Sequence, residues 1–210
     1  MMFQEKGLIF VHIQKTGGDA VRAALSGQLN PPEKHFFAIE LRDLYGADAW
    51  RSHYTFAFVR NPWDRLVSWW SMIDAMRADF ARGAPLNKFQ TFVLRNARTF
   101  EEFLENCDEE IVDSDGRKWI YRNQLDYVTD SSGRQIVDFV GRFETLAEDF
   151  RFVTMKVLGA TIALPHLNAA PRRRYAAYFT PALAKKVEHR YARDIDAFGY
   201  RFAGSQALCE

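Results

Sequence analysis

The sequence predicts an α/β fold in three layers, with a central parallel β-sheet flanked by helices. Three apolar, β-rich runs, at residues 7–13, 54–59 and 135–144, each lead into a segment with helical periodicity. Strands that alternate with helices are typical of parallel sheets, because a crossover helix returns the chain to the end where the next strand starts. Ligands in such folds bind beyond the carboxyl ends of the strands. The residues that follow each run are therefore the first candidates for a functional site.

The composition fits a single domain, residues 1–210, with enough apolar residues for a sizeable core. Hydrophobic residues make up 48% of the chain, and 28 Lys and Arg are balanced by 27 Asp and Glu. A nearly neutral protein gives no reason to expect a nucleic-acid or anionic-membrane partner. Any anion site must therefore be a local cluster of charge.

The cysteine content and the amino-terminal sequence indicate a cytoplasmic protein. The two cysteines, Cys107 and Cys209, are far apart, and their spacing suggests neither a disulfide framework nor a metal cluster. The first residues lack the pattern of a signal peptide, and no apolar stretch is long enough to predict a transmembrane segment. The sequence carries no signal for a particular oligomeric state.

The first predicted strand leads directly into a helix. Residues 7–13 form a short apolar run of the kind found in buried strands. Gly17 and Gly18 then open a segment whose apolar residues recur at helical spacing up to about Gly27. Strand, tight loop and helix together form the start of an α/β unit.

A second unit of the same kind follows. Residues 30–40 are expected to form a loop and then a short strand, and residues 41–50 a helix. The run at 54–59 is the second predicted strand. Asn61 suits the cap and Pro62 the first position of a long amphipathic helix.

The rest of the chain is predicted to return to the sheet after a less regular region. Residues 82–134 are expected to be irregular apart from a short helix near 99–106, and to form the acceptor side of a site. The run at 135–144 is the third strand. Helices are expected at 145–159 and 180–197, and a basic loop connects them.

The loop after the first strand contains the elements of a phosphate site in an unusual order. In a Walker A loop the glycines come first and the lysine last, whereas here Lys15 precedes Gly17 and Gly18. A strand-to-helix turn exposes backbone N–H groups at the positive end of a helix dipole. Glycines let such a backbone approach an anion closely, and Lys15 adds a mobile charge. The alternative interpretation is an ordinary turn with a surface lysine.

The end of the second strand offers a second anion site. Arg60 follows the strand, and Ser68 lies two helical turns further on. Arginine is a natural bidentate partner of phosphate, although Arg60 could instead pair with a structural carboxylate and Ser68 could be a small helix residue. Kinases and NTPases hold Mg²⁺ with an acidic residue at such a position. Arg60 therefore favours metal-free transfer from a multiply phosphorylated nucleotide.

Together these segments resemble the carbohydrate sulfotransferases of the Golgi and bacterial type, a sulfotransferase family 2-like group. The segment FVHIQKTGGDAVRAAL resembles their 5′-phosphosulfate loop, and FAFVRNPWDRLVSWW resembles their 3′-phosphate motif. DFVGRFETLAEDF and the stretch from PHLNAAPRRRY to AFGY resemble later segments of the group. The resemblance covers about residues 8–70 and 120–200 in the same order. It implies a P-loop-like fold.

The resemblance also implies a reaction. The donor would be 3′-phosphoadenosine 5′-phosphosulfate (PAPS), and a sulfuryl group would pass in line to an acceptor hydroxyl on a carbohydrate or glycan-like molecule. The loop would hold the 5′-phosphate that becomes the leaving group, through Lys15, Thr16, Gly17 and Gly18. Lys15 would meet the charge that grows on the bridging oxygen. No metal is implied.

Further basic residues are assigned to the nucleotide by the same resemblance. Arg60 and Ser68 match the positions that hold the 3′-phosphate, which remains on the product, adenosine 3′,5′-bisphosphate. In the basic loop, Arg172, Arg173 or Arg174 is expected to close over the nucleotide. The alternative for this loop is a solvated run of charge.

Two departures from the family pattern define the competing functions. The family commonly has Pro where this chain has Gln14, and Thr-Ser where it has Asp19 and Ala20. The lost hydroxyls remove two possible phosphate donors. The first alternative is therefore a nucleotide-binding protein of the same fold that has lost catalysis. A P-loop kinase is the less favoured alternative.

The acceptor proton requires a general base, for which histidine and glutamate are the usual candidates. His35 lies after the first helix, where the family places its base, and it is the first choice. Glu33 is the second choice, and His53, which precedes the second strand, is the third. Gln124 is expected to contact the acceptor.

Overall fold

The computed structural model describes residues 1–26, 31–114, 116–165 and 173–203. Contacts between residues divide the chain into two compact units. The first unit contains Met1–Arg60 and Gln124–Ala169, and the second contains Asn61–Asn123 and Ala170–Glu210. A single functional domain over residues 1–210 stays a prediction.

The strands are short and are separated by one or more helices along most of the chain. The strands are β1 Met2–Phe3, β2 Leu8–Val11, β3 Tyr54–Val59, β4 Ile111–Asp113, β5 Gly116–Lys118 and β6 Phe139–Arg142. The α-helices are α1 Gly18–Ser26, α2 Ala38–Tyr45, α3 Ala47–Ser52, α4 Pro62–Asp74, α5 Arg77–Ala81, α6 Lys88–Asn96, α7 Phe100–Asn106, α8 Leu125–Val128, α9 Leu146–Leu158, α10 Pro181–Arg190 and α11 Ala192–Phe198. Short 3-10 helices span Gln4–Lys6, Phe143–Thr145 and Tyr175–Tyr178.

The first unit is built on a mostly parallel sheet with the strand order β1-β2-β3-β6. Strands β2 and β3 run parallel in register, with Leu8 opposite Tyr54 and Val11 opposite Ala57. Strand β6 pairs in parallel with the other side of β3, and β1 is antiparallel. All three predicted strands are present, and helices flank the sheet, so the predicted α/β class is confirmed.

Aromatic side chains from neighbouring strands form the core of this unit. Phe10 and Phe56 stack with ring centroids 4.9 Å apart, and Phe58 meets both rings at an angle. Helix α9 covers them with Phe150 and Val153, which are fully buried. A central strand that is buried on both faces has a continuous run of apolar residues in its sequence. This is why the sequence predicted β2 and β3 so clearly.

The second unit begins with the long helix α4, and its start is the one predicted. The Asn61 side-chain oxygen accepts hydrogen bonds from the N–H groups of Trp63, at 3.1 Å, and Asp64, at 3.3 Å. Pro62 occupies the first helical turn. The Asn61 amide donates to the Arg201 carbonyl, at 3.1 Å, and so also fixes the carboxyl-terminal segment of the same unit.

The structure corrects the sequence prediction in two regions. Residues 30–40 contain no strand where they are described: a turn leads into α2, because the Glu40 carboxylate accepts the N–H of Phe37 at 2.8 Å and starts the helix. The short helix predicted near 99–106 is present as α7, but the region 82–134 is more regular than expected, because it also contains α6, β4, β5 and α8. Helices α6 and α7 are each started by a capping side chain. Asn87 accepts from the N–H of Gln90 at 2.8 Å, and Thr99 from that of Glu102 at 3.1 Å.

Within the described part of the chain, no helix combines the length and apolar character needed to cross a bilayer.

Candidate active site

The two predicted anion motifs meet at the carboxyl ends of β2 and β3. Because these strands are parallel neighbours, the loop after Val11 and the residue after Val59 emerge at the same end of the sheet. The Arg60 guanidinium donates a hydrogen bond from Nη1 to the Lys15 carbonyl oxygen, at 3.0 Å. The structure thus joins Lys15 and Arg60, which lie 45 positions apart in the sequence, at one place.

Lys15 has an unusual backbone conformation. Its φ of 69° places it in the left-handed region, and it is the only non-glycine residue with positive φ in the described part of the chain. This conformation costs an L-residue about 1–2 kcal/mol. The Arg60 hydrogen bond to its carbonyl is one contact that holds the turn in this shape.

The two glycines of the loop are required for a reason that the sequence did not suggest. A Cβ on Gly17, whose φ is +82°, would lie 2.6 Å from Leu146 Cδ2. A Cβ on Gly18 would lie 2.0 Å from His12 Cδ2. Both missing Cβ atoms would therefore point at protein side chains, so the glycines let the loop pack closely on its own unit.

The Thr16 hydroxyl is used within the loop. Thr16 is fully buried, and its Oγ1 donates to the Ile13 carbonyl oxygen at 2.9 Å. Since that proton is already donated, Thr16 has its backbone N–H, rather than its hydroxyl proton, to offer to an anion. Its assignment to nucleotide binding stays a prediction.

Gln14, which stands where the family commonly has proline, ties the loop to helix α8. Its buried Oε1 accepts a hydrogen bond from the Tyr127 hydroxyl at 2.6 Å. A proline at this position could not make that contact. The departure from the family pattern therefore adds a different anchor for the loop.

The Asp19 carboxylate forms ion pairs with neighbouring cations. Lys34 lies 2.9 Å and Arg22 lies 3.8 Å from its Oδ1. Burial raises the pKa of the Asp19 carboxyl, but the hydrogen bond and charge of Lys34, with smaller contributions from Arg22, outweigh it, and the net pKa lies below its ordinary value. The negative charge of Asp19, which would be unfavourable next to a polyanion, is thus already paired.

The Arg60 side chain is held from two sides. Its guanidinium carbon lies 3.8 Å from the centre of the Phe143 ring, a cation–π contact, in addition to the bond to Lys15. Gln124 does not have the role expected of it: it is fully buried, and its side-chain amide bonds both the N–H and the carbonyl of Arg60. The contacts described for Gln124 are thus structural ones.

His35 is oriented by the end of β2. Its Nδ1 lies 3.1 Å from the His12 carbonyl oxygen. A carbonyl can only accept, so Nδ1 carries a proton in this contact, and in the neutral ring the lone pair is then on Nε2. Burial, the largest cause, lowers the pKa of the adjacent His12 well below its ordinary value, so that ring stays neutral. The contact thus orients the His35 ring with Nδ1 toward the end of β2.

The two other candidate bases are placed differently. The Glu33 carboxylate accepts a hydrogen bond from the Tyr45 hydroxyl at 3.0 Å, and burial together with the charge of Glu33 raises the pKa of Tyr45. His53 is buried at the amino end of β3, with Nδ1 2.8 Å from the Ala49 carbonyl. That end of the strand is opposite to the one that bears Arg60, so the structure places His53 away from Lys15 and Arg60.

The remaining predicted nucleotide contacts lie in the second unit. Ser68 is half-buried on α4, and Arg173 and Arg174 are exposed before the 3-10 helix at Tyr175–Tyr178. Arg172 lies outside the described residues. The roles of Ser68, Arg172 and Arg173 stay predictions.

The described residues contain no group of three or more His, Cys, Asp or Glu side chains that could hold a metal ion.

Comparison with known families identifies the class of protein. A sequence model described as the sulfotransferase family matches residues 1–201. The chain belongs to the sulfotransferase family, which confirms the resemblance seen in its motifs and indicates a transferase that moves a sulfuryl group. A search of curated proteins returned no match.

Proposed function

We propose that this protein transfers a sulfuryl group from PAPS to a hydroxyl of a carbohydrate or glycan-like acceptor. Family membership supports sulfuryl transfer. The donor is inferred from one observation above all: Arg60 reaches the Lys15 carbonyl, so the two motifs assigned to the phosphates meet at one end of the sheet. A donor with several anionic groups fits such a pair of cationic motifs.

The residues present fit a phosphosulfate. Lys15 supplies a mobile ammonium, and the turn that follows leads into the amino-terminal end of α1, where backbone N–H groups and the helix dipole favour an anion. Asp19, on the same helix, is paired with Lys34 and adds no unpaired negative charge. When bound, the donor would supply an activated sulfuryl group; Lys15 would stabilise charge on the leaving phosphate oxygen.

His35 is proposed as the general base. Its Nδ1–H is donated to the His12 carbonyl, and in the neutral ring Nε2 would accept the proton of the acceptor hydroxyl. The neutral His12 ring lies 4.7 Å away, centroid to centroid, and packs against it. Glu33 remains the second candidate.

A catalytically inactive nucleotide-binding protein is the competing proposal. It is favoured by the loop chemistry: the Thr16 hydroxyl proton is donated to Ile13, and the family's hydroxyls are replaced by Asp19 and Ala20. Such a protein would bind adenosine 3′,5′-bisphosphate but would transfer no sulfate.

Sulfate transfer separates these proposals. Purified protein is incubated with sulfur-labelled PAPS and a panel of sugars, lipids and phenols, with Lys15→Ala and Lys156→Ala as the site and control variants. We expect transfer to a sugar hydroxyl by the wild type and by Lys156→Ala only. Bisphosphate binding without transfer to any acceptor would favour the inactive protein, and transfer to phenols alone would overturn the carbohydrate assignment.

A second measurement tests the 3′-phosphate. Calorimetry should show that adenosine 3′,5′-bisphosphate binds more tightly than AMP. Arg60→Ala should reduce the difference in binding free energy between the two nucleotides by about 1.5–3 kcal/mol, the scale of a hydrogen bond to a charged group. Equal affinities of the wild type for the two nucleotides would remove this assignment. Ser68→Ala tests the predicted role of that hydroxyl in the same way.

A further inference from the structure

The side chain of Gln124 continues the pairing of strand β3 beyond its last residue. Strand β3 ends at Val59, which is the last residue paired with β6. The next residue, Arg60, donates its N–H to Gln124 Oε1 and accepts from Gln124 Nε2, both at 2.8 Å. A primary amide offers a donor and an acceptor side by side, so Gln124 takes the place of a neighbouring strand for this one residue.

The position of the Arg60 backbone sets the position of its guanidinium. That group lies against the Phe143 ring and bonds to the Lys15 carbonyl. Phe143 also lies beneath the loop, since a Cβ on Gly17 would be 3.2 Å from its ring. Gln124, Arg60 and Lys15 are thus connected in series by hydrogen bonds.

We propose that Gln124 is a positioning residue that holds Arg60, and through Arg60 the Lys15 turn, in the geometry that binds the phosphates of the donor nucleotide. The proposal rests on the proposed function for the identity of the ligand. It also explains why an uncharged, fully buried side chain just before helix α8 is bonded to the residue that follows β3.

The first test needs no ligand. Trypsin cleaves after Lys15 only when the turn opens locally. Gln124→Met removes both amide hydrogen bonds and keeps a side chain of similar size. In this variant we expect the rate of cleavage after Lys15, divided by the rate of cleavage after Lys156 on α9, to increase about tenfold. A change of this size corresponds to the loss of one to two net hydrogen bonds. Gln135→Met, a change at an exposed glutamine of the same unit, is the matched control and should leave this ratio unchanged.

The second test asks whether Gln124 acts through the Arg60 side chain. Affinity for adenosine 3′,5′-bisphosphate is measured by calorimetry for Gln124→Met, Arg60→Ala and the double variant. We expect Gln124→Met to weaken binding about tenfold when Arg60 is present and less than about twofold in the Arg60→Ala background. The same loss in both backgrounds would overturn the proposal and leave Gln124 as a local structural residue.

A conservative variant, Gln124→Glu, separates the loss of the two hydrogen bonds from a general loss of the fold. In Gln124→Glu the new carboxyl can replace both hydrogen bonds only when it is protonated, and burial favours that neutral form. The cleavage ratio of this variant should therefore return toward the wild-type value as the pH is lowered, while that of Gln124→Met should not. An unchanged ratio in both variants would overturn the proposal.

The outcomes separate this proposal from the proposed function. If the wild type does not bind the bisphosphate, the assigned donor is wrong, and the cleavage ratio alone decides whether Gln124 holds the turn. If the wild type binds it and the cleavage ratio does not respond to Gln124→Met, the proposed function stands and the positioning role is overturned.

Discussion

At the scale of single residues, Lys15 combines a charge with a left-handed backbone, and two substitutions separate them. Ala and Gly both remove the ammonium, but only Gly adopts a φ of 69° without strain. Both variants should lower kcat by about 10²–10³-fold, whereas Lys15→Gly should be more stable than Lys15→Ala by about 1 kcal/mol in urea unfolding. Lys156→Ala, at an exposed lysine of α9, is the activity control.

One result would contradict the prediction for Lys15. A Lys15→Gly variant with kcat within about twofold of the wild type would show that the ammonium does not act in the transition state.

The choice of base is also decided at this scale. His35→Ala should lower kcat by roughly 10²–10⁴-fold with little change in bisphosphate affinity, because the base acts on the acceptor side. Glu33→Gln should be mild, because Glu33 is bonded to Tyr45. An inactive Glu33→Gln variant beside an active His35→Ala variant would assign the base to Glu33.

At the scale of the elements, the junction of β2 and α1 depends on Gly18. Helix propensity alone favours alanine at a helical glycine by up to about 1 kcal/mol, but the added methyl would lie 2.0 Å from the His12 ring. We expect Gly18→Ala to destabilise the protein by about 1–3 kcal/mol, the usual cost of overpacking, as measured by urea unfolding. The sign of the change thus distinguishes packing from propensity.

Two comparisons support or contradict this expectation. In Gly133→Ala the only cost is the backbone strain of a positive φ, because no atom lies within 4 Å of the Cβ atom that the substitution adds. In a His12→Ala background Gly18→Ala should cost less than in the wild type, since the colliding ring is gone. Equal costs in the two backgrounds would place the strain elsewhere.

At the scale of the whole molecule, Cys107 reports on the unfolding of the second unit. Its side chain is fully buried, and burial, with a contribution from the charge of Asp108, raises the pKa of the thiol to about 12. In a Cys209→Ser background, thiol reagents at pH 8 should therefore label the folded protein at least about a thousandfold more slowly than the urea-unfolded protein, since opening is rare. Prompt labelling under native conditions would contradict the burial of Cys107.

The same pKa shift predicts a direction for stability. The thiol binds its proton more tightly in the folded state, so its contribution is complete below the ordinary thiol pKa, near 8.5, and is lost as the pH rises toward 12. The free energy of unfolding should therefore fall with alkaline pH, and less so in Cys107→Ala.

The sequence by itself determined the α/β class, the three parallel strands and the start of α4. These features depend on local signals: continuous apolar runs mark strands that are buried on both faces, and Asn61-Pro62 is a cap that acts within one turn. The order of the two phosphate motifs is also a linear property. Together with the later segments, it was sufficient to indicate the sulfotransferase family, which the match over residues 1–201 confirms.

Only the tertiary structure decided how the site is assembled in the first unit. Glycine is needed at position 17 because of its positive φ and the nearby Leu146 side chain, and at position 18 because of the His12 ring. The proposed role of Gln124 depends on its bonds to Arg60, 64 positions away. It also separated the candidate bases, since His53 lies at the opposite end of β3 from Arg60. Such contacts depend on the distance between residues far apart in the chain, which periodicity and spacing do not encode until the strands have paired.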